Sequence, residues 1–139
     1  MHTQIYVNIA IKDMARSQAF WRELGYEFNP HFTNEHGACL VLGENLYAML
    51  LTEPFFSSFT AKPIADAKAS TEVLICLNCS SREEVDSLVA KAVAAGGTAP
   101  RAPQDHGFMY AHGFEDLDGH IWELAYMNTS AAANPERDA

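Results

Sequence analysis

The sequence predicts an α+β fold built from two βαβββ modules in one chain. Three observations carry that prediction. Ile5 to Ile11 alternates like a half-buried strand, and it is followed by a capping aspartate, Asp13, an amphipathic run and a stop at Gly25. About 70 residues later the same order returns, as Glu72 to Leu77, Ser80 or Ser81, a second amphipathic run and Gly96-Gly97. After each helix come further strand-like runs separated by turn residues. Two copies are too few for a solenoid, which needs about three or more repeats to bury its faces. What remains is a pair of modules that share one sheet system and hold a site between them.

Each element has its own local cause. The first helix, Met14 to Leu24, turns Phe20, Trp21 and Leu24 toward a core and leaves Arg16 and Arg22 to solvent. Tyr26-Glu27-Phe28 opens a second strand. Gly37 to Leu42 and Leu46 to Leu51 form a hairpin about Gly43-Glu44-Asn45, which completes module one over about 4–52. A linker over about 53–70 is long for a connection and carries Phe55, Phe56 and Phe59 beside Pro54 and Pro63. Those rings are expected to pack on the sheet rim or on a dimer partner, with a lid over a substrate as the other reading.

Module two spans about 71–127. Its helix opens on a capping box, Ser81-x-x-Glu84 or Ser80-x-x-Glu83, and places Val85, Leu88, Val89, Ala92 and Val93 on one face. Strands are expected around Thr98 to Ala102, Phe108 to Glu115 and His120 to Tyr126. The last two are joined by Asp116-Leu117-Asp118-Gly119, whose glycine suits a tight turn. Residues 128–139, rich in small and charged types, are expected to form a disordered tail, so that 1–127 is a single domain.

At 139 residues and 15.3 kDa the chain is long enough for one domain with a real core. Its 9 Lys and Arg against 18 Asp and Glu give a net charge of -9, which repels a nucleic-acid backbone. No apolar run approaches the ~20 residues of a membrane span, and Met1-His2-Thr3-Gln4 leads straight into a strand without a basic leader, so a cytoplasmic protein is expected. Three cysteines, an odd number, argue against a disulfide framework. Cys76 and Cys79 make a C-x-x-C, but in a strand that spacing points the two thiols to opposite faces, so both are expected to be buried small hydrophobes.

Two βαβββ modules with an Asp-x-Asp-Gly turn leading into Ile121-Trp122-Glu123-Leu124 resemble the vicinal oxygen chelate superfamily, which includes glyoxalase I, bleomycin-resistance proteins and extradiol dioxygenases. The resemblance runs from Ile5 to Met127. Within it, the stretches Val7 to Asp13, Phe55 to Thr71 and Gln104 to Tyr110 look like a bacterial branch usually labelled as predicted lactoylglutathione lyases. It implies a curved mixed sheet in each module wrapped around a cavity, helices outside, and often a homodimer that completes its cavities across the subunit interface. It also implies a divalent metal (Ni, Zn, Fe, Mn or Co) held from the first and last strands of the modules. Laid on this chain, the four ligand positions fall at Tyr6, Leu50, Glu72 and Glu123, and the usual His or Glu is missing at the first two.

Strand parity tests that carry-over. Ile5, Val7, Ile9 and Ile11 form an aliphatic face suited to a helix, which leaves Tyr6, Asn8 and Ala10 for the cavity. The same reasoning puts Glu72, Leu74, Cys76 and Asn78 on the cavity side of the fifth strand, and Ile121, Glu123 and Ala125 on that side of the last. With Asp116 to Gly119 as the hairpin loop, Glu115 is expected to pair with His120, which sets His112 opposite Glu123. The expected wall is then Tyr6, Asn8, Tyr110, His112, Glu72 and Glu123.

Two carboxylates and an imidazole suit a divalent metal that polarises a carbonyl or holds an enediolate, with Glu72, His112 and Glu123 as ligands and Tyr6 or water as the fourth. Without metal, Glu72 and Glu123 would raise each other's pKa, and one could act as a general base beside His112 or Tyr110. A hydrogen-bonded Glu123–His112 pair in a pocket wall is the plainer alternative. His106 and His120 are expected to be surface or structural. The functions in play are a glyoxalase-like lyase or isomerase with Glu123 and Glu72 as catalytic groups, a metal-free protein that sequesters a small aromatic or cationic compound, and an extradiol dioxygenase. The last ranks lowest, because Tyr6 and Glu72 stand where that chemistry wants histidines.

Overall fold

The computed structural model describes residues 1–128. The chain divides into two compact units, one of Met1–Asp66 and a second that begins at Ala67, so the boundary falls inside the expected linker. Of the expected tail only Asn128 lies within the described residues, and its backbone N–H donates to the Phe108 carbonyl at 2.7 Å. Among the described residues no helix is long and apolar enough to cross a membrane.

Unit one runs β1 (Ile5–Ile11), α1 (Met14–Glu23), β2 (Glu27–Asn29), β3 (Gly37–Gly43), β4 (Leu46–Thr52) and α2 (Glu53–Ser57). Its four-stranded sheet has the order β1-β4-β3-β2, with β1 and β4 parallel and the other pairs antiparallel. Asp13 caps α1 as expected, its Oδ1 accepting from the Arg16 N–H at 3.1 Å, and Gly25 ends the turn at φ +98°. Phe20, Trp21 and Leu24 are buried with Ile9, Ile11, Ala38, Leu40, Ala48 and Leu50, so the apolar parity of β1 does turn toward the helix. The segment after β4 is not structureless. Thr52-Glu53-Pro54 starts the short helix α2, Phe55 packs beside Gly37 and edge-on to Phe59, and Phe59 itself stays exposed.

Unit two repeats the plan as β5 (Leu74–Cys79), α3 (Arg82–Ala94), β6 (Gln104–Asp105), β7 (Met109–Glu115) and β8 (Ile121–Met127). The sheet order β5-β8-β7-β6, with β5 and β8 parallel, has the same topology as unit one. The duplication read from the sequence is therefore a duplication of topology. Ser81 caps α3 by accepting from the Glu84 N–H at 3.0 Å, while the returning Glu84 carboxylate accepts from the N–H of Ser80, one residue before the cap. Val85, Val89 and Ala92 bury against Phe114, Trp122 and Leu124.

Two expected strands shift. The strand expected over Glu72 to Leu77 begins at Leu74, because its first partner on β8 is Ile121, and Glu72 stands two residues outside it. The strand expected at Thr98 to Ala102 shrinks to one bridge, Thr98 with Glu115, and the sheet edge is taken by Gln104 and Asp105. Pro100 and Pro103 flank the gap, and a proline nitrogen has no hydrogen to give a ladder.

Candidate functional site

Cross-strand partners share a face of the sheet, so the unit-two register decides which side chains can meet. Gly113 pairs with Glu123, Glu115 with Ile121, and Ala111 with Ala125; in turn Cys76 pairs with Glu123 and Leu74 with Ile121. This face carries Leu74, Cys76, Ala111, Gly113, Glu115, Ile121 and Glu123, away from α3. The opposite face carries Tyr110, His112 and Phe114 with Trp122 and Leu124, and the helix covers it.

The register differs by one residue from the one expected. His112 opposes Leu124, not Glu123, so His112 and Tyr110 take the parity of the helix side, although His112 still lines the cleft that holds Glu123, at its edge beside Arg101. The Tyr110 hydroxyl donates to Asp86 on α3 at 2.6 Å, and the His112 ring nitrogen Nε2 donates to the Arg101 carbonyl at 2.9 Å. The cause is the turn. The Asp116 N–H bonds to the His120 carbonyl, so the loop closes inside the 116–120 pair and the ladder restarts at Glu115 and Ile121. Asp116 is 8% exposed, and its carboxylate accepts from the N–H groups of Asp118 and His120 and from the indole N–H of Trp122, each at 3.0 Å. Burial pushes its carboxyl above the ordinary range, and the neighbouring His120 and the three donors pull back part of that shift.

Glu72 is also placed elsewhere than expected. Its Oε1 accepts from Nδ1 of the buried His120 at 2.8 Å, a pairing that ties the segment before β5 to the start of β8. Gly119 lets the same segment approach: at φ +90°, a Cβ on it would sit 2.9 Å from the Lys68 backbone nitrogen. Glu123, by contrast, faces Cys76, four residues beyond Glu72, which is about 13 Å further along the strand direction. In unit one, Leu50 pairs with Ile9 and is fully buried on the helix side, so it does not face a cavity. Tyr6 and Asn8 do stand on the open face, Tyr6 stacked on Tyr47 at 4.9 Å and hydrogen-bonded to Gln4.

Glu72, His112 and Glu123 thus do not converge, and among the described residues no group of three His, Cys, Asp or Glu side chains is set to hold a metal ion. A divalent metal carried by those three residues does not fit this arrangement. The chemistry that remains on the open face of unit two is a cleft of about 190 Å³ with Glu123 in its wall. Leu74, Ala102, Ala111, Gly113 and Ile121 make most of it apolar, with Glu115 beside Glu123, Gln104 on the far side, and Arg101 and His112 also in the lining. Glu123 is half-buried and makes no hydrogen bond among the described residues. Gly113 lies beneath it, and a Cβ there would meet the Trp122 carbonyl at 3.1 Å while making only ordinary contact, 3.7 Å, with the Glu123 Cγ.

The cysteines separate as parity requires, but not both into the core. Cys79 is buried under α3, and burial together with its hydrogen bond to Glu84 pushes its thiol up to about 12. Cys76 is exposed on the cleft face, with its thiol raised first by burial among its neighbours and then by the Glu123 charge. The outer face holds one further polar assembly that sequence reasoning missed. Arg82 on α3 forms a bidentate pair with Asp105 at 2.6 and 3.1 Å, donates to the Gly107 carbonyl and lies over the Tyr110 ring. Nothing in the local sequence signals it, because its partners are 23 and 25 residues away.

Residues 3–43 match the model of the family described as bleomycin resistance protein-like N-terminal. No curated protein matches the chain. Among solved structures, hypothetical protein SA1046 from S. aureus is 26% identical over 91% of this chain and 94% of its own, with a TM-score of 0.77. A glyoxalase-related enzyme from Fulvimarina pelagi is 23% identical over 91% and 88%, TM-score 0.74. A glyoxalase/bleomycin resistance protein/dioxygenase family enzyme from Burkholderia phytofirmans PsJN is 19% identical over 88% and 96%, TM-score 0.72. The chain has the fold of the solved glyoxalase/bleomycin resistance/dioxygenase structures.

Proposed function

We propose that the protein binds a small organic compound in the unit-two cleft and that Glu123 is the group that engages it. The observation that carries this reading is a half-buried carboxylate with no hydrogen-bond partner among the described residues, set in a largely apolar wall. Among the described residues no protein donor engages this carboxylate and its oxygens reach solvent, so it is free to receive a donor from a ligand in the cleft. At about 190 Å³ the cleft is smaller than the ~300–1,000 Å³ of drug-sized sites, which favours a compact ligand. Glu115 on the same face adds a second negative charge that outweighs the single positive charge of Arg101 in the lining, which favours a cationic or donor-bearing compound. This is metal-free binding of the bleomycin-resistance type, within a protein expected to be cytoplasmic and homodimeric.

A second reading keeps the same residue and adds chemistry. An uncommitted carboxylate can accept a proton from carbon next to a carbonyl, which is the step a lyase or isomerase of the lactoylglutathione-lyase type needs. The enzyme names of two structural neighbours favour it. Here Glu123 is the base, and Glu72 serves the fold through His120. Titration of the 15N-labelled protein with small amines and carbonyl compounds tests binding: shifts should centre on Ala111, Gly113 and Glu123 and vanish in Glu123→Gln. Shifts elsewhere, or unchanged in the variant, would reject the site. Turnover of the glutathione–methylglyoxal hemithioacetal, lost in Glu123→Gln, would establish the second reading, and metal analysis after loading should show no stoichiometric ion lost in Glu72→Ala.

A further inference from the structure

The polar groups around the cleft are not spread evenly. Along β7 the residues facing it are Ala111, Gly113 and Glu115. Gln104 stands opposite Ala111 on the β6 side, and Glu123 stands opposite Gly113 on the β8 side. Ala111 and Gly113 therefore form a floor without bulk, with an amide at one end and two carboxylates, Glu123 and Glu115, at the other. All of these residues line the cleft, as do Arg101 and His112, and with two carboxylates against one guanidinium its charge stays negative.

Gln104 owes its place to its neighbour. Parity in the two-residue strand β6 sends Asp105 to the outer face, where Arg82 grips it with two hydrogen bonds, and so leaves Gln104 on the cleft side. The edge of the sheet is thus pinned from outside while its inner residue stays available.

The geometry points to the ligand class, a deepening that rests on the binding role of Glu123: a short chain with a protonated amine at one end and a neutral hydrogen-bonding group, an amide or hydroxyl, at the other. The amine lies against Glu123 and Glu115, the chain crosses Ala111 and Gly113, and the far group meets the Gln104 amide. Its length follows from the sheet. Gln104 and Glu123 are two strands apart and two residues out of register, which at ~4.8 Å per strand and ~3.3 Å per residue separates their α-carbons by about 12 Å. With both side chains standing roughly perpendicular to the sheet, their polar ends keep about that separation, and subtracting two hydrogen bonds of about 2.9 Å leaves about 6 Å between the polar atoms of the ligand. An extended chain of three methylenes between an ammonium and a carboxamide has that span, and one methylene does not.

The test is an NMR titration of the full chain with glycinamide, 4-aminobutanamide, 6-aminohexanamide, n-butylammonium and butanamide. 4-Aminobutanamide is expected to bind about fivefold tighter than the other four, the factor that one added hydrogen bond of ordinary strength supplies. Gln104→Leu, a change on an exposed edge strand, should reduce 4-aminobutanamide to the level of n-butylammonium while leaving n-butylammonium unchanged. Amine binding that requires Glu123 but ignores chain length and Gln104 would overturn the inference and leave the Glu123 site standing. If none of the amines binds, or if Glu123→Gln binds them equally well, the underlying site falls and the inference falls with it.

Discussion

Removal of the Asp116 carboxylate tests the account of the β7–β8 register most directly. In Asp116→Ala three donors lose their acceptor: the indole N–H of the fully buried Trp122, the buried N–H of His120 and the part-buried N–H of Asp118. Each orphaned buried donor costs about 1–3 kcal/mol, and the Asp118 N–H can recover a water, so the expected loss is about 3–4 kcal/mol. For a domain between the small and large size classes that corresponds to a fall in Tm of roughly 10–15 °C. Asp116→Asn keeps one carbonyl oxygen for the two backbone donors and turns an amide against the indole, so it should lose only about 1–2 kcal/mol.

The pH dependence has a definite sign. Because burial raises the Asp116 carboxyl in the folded chain, the folded state takes up its proton first as pH falls. The stability this group contributes is present below its unfolded pKa and is lost as pH rises through the raised folded value. Asp116→Asn should remove that component, so its deficit relative to the parent should widen on acidification. Urea unfolding followed by Trp fluorescence at several pH values measures both quantities. A loss below about 1 kcal/mol in Asp116→Ala would refute the claim that this carboxylate organises the turn.

Two further outcomes follow from named contacts. The pairing with Arg82 holds the Asp105 carboxyl down to about 2, so the clasp on β6 should persist above the ordinary carboxylate value and be lost as pH falls toward about 2; hydrogen exchange at Met109 and Ala111 should accelerate there, and no change would show that the clasp does not hold the edge. Among the cysteines, Cys76 should react with a methanethiosulfonate while buried Cys39 and Cys79 resist, and the cationic reagent should outpace the anionic one because Glu123 lies alongside; equal rates, or faster labelling of Cys79, would contradict the assigned faces.

Much of this protein was legible in its sequence because the signals are local. The β1 limits, the Asp13 and Ser81 caps and the glycine stops depend on residues within a few positions of one another, and each appears where the pattern puts it. The repeated order of strand, cap, helix and glycine likewise anticipated two sheets of identical topology. Glu123 on the open face followed from the alternation of the last strand alone.

The candidate site was legible only in part, since it depends on partners chosen across strands. Parity within a strand cannot reveal the register between strands, and a one-residue difference moved Tyr110 and His112 to the helix side. That difference was set by the buried Asp116 turn, whose strength comes from an indole six residues on and from burial. Glu72 was read as a strand residue facing a cavity, yet packing of the 67–73 segment on Gly119 brought it to His120. Short-range chemistry and hydrophobic period determined the fold, its two copies and the inward carboxylate. Tertiary structure alone decided which polar groups are already committed to each other, because hydrogen bonds between distant segments form only once burial has fixed their distance, and Glu123 is among those left uncommitted.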